Sequence, residues 1–231
     1  MSIGIIIAAG DQSRFESDIP KFMMPYKESD ILTVNIQMMN KQCSEVYVFT
    51  NHSTYSRVIH HLNRTLGNRH KIKVIPINSG NGCGDAVIRA LQLVDRRAES
   101  AIVKWGDAIH DESGYYEDFE DARDDINVHI SAELAESPYT ILDTHDDNII
   151  HDVRFNKDGE IGHIESGWHD LSIFFINSIN QFIVKNAHWA RFTEPCIFLK
   201  SLIYGDNSVK LIKSKMKSKS FNTIDEYEAI I

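Results

Sequence analysis

The chain has 231 residues, 42% of them hydrophobic and 25% charged, enough to bury the core of one α/β domain without a staple. A net charge of −9 speaks against nucleic acid as the main partner, and no run of about 18 apolar residues is present to span a bilayer. Cys43, Cys83 and Cys196 stand far apart with no CxxC or Cys/His metal spacing, and no signal-peptide pattern is visible, so a reducing cytoplasm is expected.

Residues 3–8 (IGIIIA) form a continuous apolar, β-branched run, the pattern of a strand covered on both faces. It breaks into the small, polar loop Ala9-Gly10-Asp11-Gln12-Ser13-Arg14, and Pro20 and Pro25 keep the next stretch irregular. Asp30 is placed to cap a helix over 31–42, where Leu32, Ile36 and Met39 share a face. A strand at 45–50, a helix at 54–66 and a strand at 72–77 follow. The glycine-rich turn 79–84 (SGNGCG) leads into a helix at 85–96, and a fourth strand, 101–105, ends on Gly106-Asp107. Strands separated by helices imply right-handed crossovers and a mostly parallel sheet.

Beyond 108 the pattern loosens. Strands are expected at 126–134, 139–142, 149–155 and 171–176, with turn signals at Asp146-Asp147-Asn148 and Lys157-Asp158-Gly159 that predict antiparallel hairpins between them. Helices are expected at 178–187, 194–204 and 224–230. The basic run Lys210 to Lys219 reads either as a solvated loop or as local charge compensation for anionic substrates. No linker divides the chain. The reading is one domain over 1–231, with a nucleotide-binding half at 1–107 and an acceptor half at 108–231.

In parallel α/β sheets, ligands bind beyond the carboxyl ends of the strands. Three features fall there. After the first strand, Ala8-Ala9-Gly10-Asp11-Gln12-Ser13-Arg14 and then Pro20-Lys21 combine small residues, whose backbone N–H groups cradle anionic oxygens, with fixed positive charge. Gly80-Asn81-Gly82-Cys83-Gly84 lets backbone approach a flat base. Gly106-Asp107 puts a carboxylate where Mg²⁺ finds a ligand, because Mg²⁺ takes one or two carboxylates plus phosphate oxygens. Each signal alone also describes an ordinary turn.

Their order and spacing resemble the nucleotidyltransferases of the glycosyltransferase-A type fold. That family includes pyrophosphorylases of sugar 1-phosphates and small cytidylyltransferases for phosphocholine and methylerythritol phosphate. Ile7-Ala8-Ala9-Gly10-Asp11-Gln12-Ser13-Arg14 with Pro20-Lys21 is similar to their Leu-Ala-Ala-Gly-x-Gly-x-Arg and Pro-Lys signature. Gly82-Cys83-Gly84 resembles the base-contact turn, Trp105-Gly106-Asp107 the Gly-Asp metal site, and Phe221 to Tyr227 the closing element whose Asn or Asp completes that site. Departures are Gln12 in place of a loop glycine, Cys83 in place of a hydroxyl residue, and Glu165-Ser166-Gly167-Trp168 where sugar-1-phosphate enzymes carry Glu-Lys-Pro.

The resemblance implies a three-layer α/β/α sandwich with a mixed, mostly parallel sheet. It implies transfer of a nucleoside monophosphate, with CMP the leading candidate, from a nucleoside triphosphate to a small phosphorylated acceptor. Arg14 and Lys21 would act on the phosphates. Ala8, Ala9, Gly10, Asp11, Gln12, Ser13, Gly80, Gly82 and Cys83 would line the nucleotide, and Asp107 and Asn222 would hold Mg²⁺, with Asp225 the second choice for the latter. The acceptor, the base and a homodimeric state stay open. A phosphate monoester acceptor is already anionic at neutral pH, so no general base is required. Of the eleven histidines only His110 falls near the site, and it is expected to be a packing residue. Tyr115, Tyr116, Phe119, Trp168 and Trp189 are expected to pack rather than to cage a quaternary ammonium. A glycosyltransferase of the same fold and a non-catalytic nucleotide-binding protein are the alternatives. Asp107-Ala108-Ile109-His110-Asp111 lacks the Asp-x-Asp of the former.

Overall fold

A computed structural model describes residues 2–10, 15, 17–67, 71–78, 82–110, 119, 122, 126–136, 140–155, 166–186, 195–205, 207–219, 221 and 223–231, without the side chains of 155 and 195–197. The apolar run at the start is strand β1 (Ser2–Ala8). Ile3, Ile5 and Ile7 pack into one core layer and Ile6 and Ala8 into the other, as period-two alternation with both faces covered requires. Two short strands, β2 (Pro25–Tyr26) and β3 (Ser29–Asp30), make a small hairpin that the sequence did not signal.

Asp30 caps α1 (Ile31–Asn40), accepting from Thr33 N at 2.9 Å. Leu32, Ile36 and Met39, the predicted face, are fully buried, each stabilising the fold by roughly 1.5–3 kcal/mol. Strand β4 (Val46–Thr50), α2 (His52–Thr65), β5 (Ile72–Pro76), α3 (Cys83–Leu93) and β6 (Ser100–Trp105) continue the alternation. Asn51 caps α2 through Thr54 N at 2.9 Å.

The rest of the chain adds β7 (Ile109–His110), β8 (Val128–Glu136), β9 (Thr140–Thr144), β10 (Ile150–Phe155), β11 (Ser166–Ile176), α4 (Ile179–Asn186), α5 (Pro195–Tyr204), β12 (Val209–Lys213), β13 (Ser218–Lys219) and α6 (Ile224–Glu228). Among the described residues the main sheet has seven strands in the order β12-β8-β11-β6-β1-β4-β5. Every neighbouring pair is parallel except the two that β11 makes, with β6 and with β8. Helices α3, α4 and α5 pack on one face and α1 and α2 on the other. The fold is therefore the expected three-layer sandwich with a mixed, mostly parallel sheet, and that sheet draws on both halves of the chain. No described helix is long and apolar enough to cross a membrane.

Two expectations need correction. The turn Asp146-Asp147-Asn148, with Asn148 at φ 63°, does close a β9–β10 hairpin, but β11 does not pair with β10. It enters the main sheet between β8 and β6. The turn signal at 157–159 lies outside the described residues. The basic run at 210–219 is not a loop: it contains β12, an edge strand on β8, and β13. Its lysines are engaged, Lys217 with Glu133 at 2.8 Å and Lys213 over the Trp168 ring at 5.5 Å.

Candidate active site

Registry across the sheet puts the strand ends level. Ala8 pairs with Thr50 and Thr50 with Pro76, while Ile7 pairs with Trp105. The carboxyl ends of β1, β4, β5 and β6 therefore share one edge, where open parallel sheets bind ligands. Ala8 and Ala9 are buried at the start of the loop that leaves β1. Gly10 is exposed, and a Cβ built on it would meet nothing within 4 Å, which leaves open space beside the backbone. Asp11, Gln12, Ser13 and Arg14 lie outside the described residues.

The turn after β6 is fixed against this loop. Gly106 N donates to Ile7 O at 2.8 Å, and a side chain at Gly106 would come within 2.9 Å of the Ala8 Cβ. Glycine is required there by close approach. Ala108 N donates back to Trp105 O at 3.3 Å, which closes a tight turn with Gly106 and Asp107 in its middle.

Lys21 and Asp107, predicted to share the site, meet. Lys21 sits in a 3-10 turn (Lys21–Met23) after Pro20, and its Nζ lies 3.0 Å from Asp107 Oδ2. The lysine side chain is 12% exposed and the carboxylate 40%, so the pair opens to solvent on the Asp107 side. The same ammonium stands over the Phe221 ring, 4.7 Å from its centroid.

Phe221 belongs to a third apolar cluster with Phe15, Met24, Ile31, Ile109 and Tyr227. Its ring meets Phe15 edge-on at 5.7 Å and Tyr227 at 5.2 Å. The cluster ties together the segment that follows the β1 loop, the β2–β3 hairpin and the C-terminal element. Strand β13 pairs antiparallel with β7, Lys219 opposite Ile109, which directs the chain from 219 to 221 back toward the Asp107 turn. Asn222 lies outside the described residues. Its neighbours bracket it: Phe221 touches the lysine that holds Asp107, and Thr223 caps α6 by accepting from Glu226 N. Asp225 is exposed in the first turn of α6, beside helix N–H groups that its charge complements.

Gly82, at φ 97°, precedes α3 in a conformation that favours glycine, and Cys83 opens the helix half-buried against the core. Gly80 lies outside the described residues. Gly82 and Cys83 follow β5, whose carboxyl end lies at the same edge, and α3 packs over β1.

Sequence reasoning passed over Lys104, Asp170 and Asn35. Lys104 is fully buried on β6, and its Nζ donates to His110 Nδ1. His110 Nε2–H donates to Leu171 O, which sets the neutral tautomer. Burial holds Lys104 well below its ordinary range, with Asp107 partly opposing. Burial and Lys104 do the same to His110. His110 is buried, with both ring nitrogens hydrogen-bonded inside the protein. Among the aromatic residues considered for a cage, Phe119 is buried on Phe175, centroids 5.9 Å apart, while Tyr115, Tyr116 and Trp189 lie outside the described residues. On β11 two extra residues bulge between Asp170 and Phe174, with Ser172 at φ 60°, and burial raises the Asp170 carboxyl. Asn35, buried on α1, donates from its side-chain amide to Gly106 O and Ala108 O, each at 3.1 Å. A lysine inside an apolar strand and an asparagine inside an apolar helix were the available signals.

Among the described residues no group of three or more His, Cys, Asp or Glu could hold a metal by itself. One half-exposed carboxylate with an ammonium beside it does fit Mg²⁺, which uses few protein ligands and fills its shell with phosphate oxygens and water. The Lys21 ammonium already stands where a cation is stabilised by Asp107.

No protein-family model and no curated protein sequence matches the chain. Solved structures do. HddC from Yersinia pseudotuberculosis superposes with a TM-score of 0.78 at 19% identity, covering 99% of this chain and 97% of its own. The same protein complexed with GMP-PN gives 0.78 at 20% identity over the same shares. The inositol-1-phosphate CTP transferase from T. maritima gives 0.77 at 12% identity, covering 97% of this chain and 90% of its own. A putative glucose-1-phosphate thymidylyltransferase from Bacillus anthracis, in complex with a sucrose, gives 0.81 at 11% identity, covering 99% and 93%. The chain thus shares the fold of these proteins along nearly its whole length.

Proposed function

We propose that the protein is a nucleotidyltransferase that moves a nucleoside monophosphate, CMP being the first candidate, from a nucleoside triphosphate to a small phosphorylated acceptor. A sugar, polyol or choline phosphate fits that description, and pyrophosphate is released. The observation that carries this reading is the Lys21–Asp107 pair, 3.0 Å apart at the carboxyl edge where Ala8-Ala9-Gly10 leaves β1. The neighbours described as a CTP transferase, as a thymidylyltransferase and as a GMP-PN complex support nucleotide chemistry on this fold without selecting one base.

In this reading the backbone of Ala8, Ala9, Gly10, Asp11, Gln12 and Ser13 cradles the triphosphate. Gly80, Gly82 and Cys83 border the base. Arg14 and Lys21 neutralise the charge that grows on the α-phosphate and the departing pyrophosphate. An acceptor phosphate oxygen attacks the α-phosphorus in line, and the α–β bridging P–O bond breaks with its electron pair leaving on pyrophosphate. No proton needs to be removed from the acceptor. Asp107 and Asn222 would hold Mg²⁺, which supplies charge neutralisation on the phosphates. The first half of the chain then serves the nucleotide and the second half the acceptor.

The test is pyrophosphate release from four nucleoside triphosphates, each offered phosphocholine, sugar 1-phosphates and polyol phosphates. Release with one pairing names the substrates. Nucleotide binding without release from any pairing would favour a non-catalytic protein of this fold.

A further inference from the structure

The turn that carries Asp107 leaves two carbonyls without a ladder partner, Gly106 O before the aspartate and Ala108 O after it. Both are met by one side chain. Asn35 Nδ2 reaches Gly106 O and Ala108 O at 3.1 Å each, across 71 and 73 residues of sequence, and Asn35 is 1% exposed. A primary amide suits this task because its nitrogen carries two hydrogens and no charge. Serine or threonine would offer one donor, and aspartate would offer only acceptors to two acceptors.

The helix that carries Asn35 also fixes the other half of the ion pair. Ile31 N, at the start of α1, donates to Met24 O at 3.1 Å, and Met24 N donates to Lys21 O at 3.3 Å. Asp30 clamps the same junction through Thr33 N and Thr33 Oγ1. Phe22, next to Lys21, packs with Leu32 and Ile36. Lys21 is thereby referenced to the first turn of α1 and Asp107 to its second.

We infer that Asn35 is a positioning residue for the cation site: it fixes the Asp107 turn on α1 and so sets where the carboxylate stands relative to Lys21. This rests on the reading of Asp107 as a cation ligand. Asn35 touches neither substrate nor metal. It acts as the outer partners of metal ligands do, whose loss typically weakens metal affinity about 10- to 100-fold.

The experiment measures Mn²⁺ binding to the nucleotide-free protein by the loss of the free ion's electron paramagnetic resonance signal, with thermal melts of every variant. Asn35→Ala and the isosteric Asn35→Asp are compared with wild type and with Asp107→Asn. The expected result is a native melt for at least one Asn35 variant with Mn²⁺ affinity at least tenfold weaker, and a larger loss in Asp107→Asn. If Asp107→Asn binds Mn²⁺ like wild type, the cation reading of Asp107 fails, and the inference with it. If Asp107→Asn loses the ion while a folded Asn35 variant keeps wild-type affinity, the inference alone fails. If neither Asn35 variant folds, Asn35 is a structural requirement of the core and the positioning role is overturned.

Discussion

Replacing Lys21 by methionine should push two measurements in opposite directions. Methionine keeps most of the side-chain volume beneath Phe221 and removes only the charge. In the nucleotide-free protein Asp107 then loses its counter-ion. At 3.0 Å a pair of unit charges interacts by about 1.4 kcal/mol in a water-like medium. Asp107 is 40% exposed, so screening and side-chain freedom reduce this to about 1 kcal/mol or less. A divalent cation no longer competes with the ammonium, and nucleotide-free Mn²⁺ affinity should rise about three- to fivefold. Turnover should fall about a hundredfold or more, because one preorganised contact to developing charge supplies about 3 kcal/mol. The fold should survive, with the lost ion pair and cation–π contact lowering Tm by no more than about 6 °C. Electron paramagnetic resonance titration gives the first quantity and pyrophosphate release the second. Unchanged or weaker Mn²⁺ binding in a folded variant would refute the shared-carboxylate argument, and wild-type turnover would remove Lys21 from the mechanism.

Asp107→Ala should lose divalent-dependent turnover while melting near wild type, and full wild-type activity in excess EDTA would sink that assignment. Asp30→Ala removes the α1 cap and the acceptor for Thr33 Oγ1, so Tm should drop by about 2–4 °C for the roughly 1 kcal/mol lost; an unchanged melt would mean another group takes over the cap. Lys104 is held below its ordinary value of 10.5, so the unfolded chain binds the extra proton and stability should rise with pH through the window below 10.5. Lys104→Met should flatten that rise, by up to about 1.4 kcal/mol per pH unit, in urea midpoints taken at neutral and alkaline pH; equal slopes would show that Lys104 stays charged.

Much of the framework was legible because its causes are local. Seven residues of β1 carry their own two-faced pattern, Asp30 announces the start of α1, and Asp146-Asp147-Asn148 closes a hairpin. The misses came where partners are chosen at long range. A turn signal says that the chain reverses, not which strand will receive the next one, so β11 was assigned to a hairpin and instead filled the gap between β8 and β6. Strand β12 hid behind its lysines, which are what an edge strand carries on its outward positions. In the site, Lys21 and Asp107 were legible through motif order. Asn35 was not, because the two carbonyls it serves lie more than seventy residues away and become unsatisfied only once β6 ends beside β1.

The charge balance of the site follows from the same geometry. On the proposed function, a chain of net charge −9 that took two phosphorylated substrates would be served poorly by a bare carboxylate at the place where they meet. Pairing Asp107 with Lys21 makes that spot locally neutral at rest. A nucleotide arriving with its own divalent cation would offer Asp107 a stronger counter-ion than the ammonium and offer Lys21 a phosphate in exchange. The two charges would then separate by side-chain rotation, while Asn35 holds the backbone of the Asp107 turn. That division, a fixed turn with a carboxylate free to rotate, fits the two carbonyl contacts of Asn35 and the 40% exposure of Asp107.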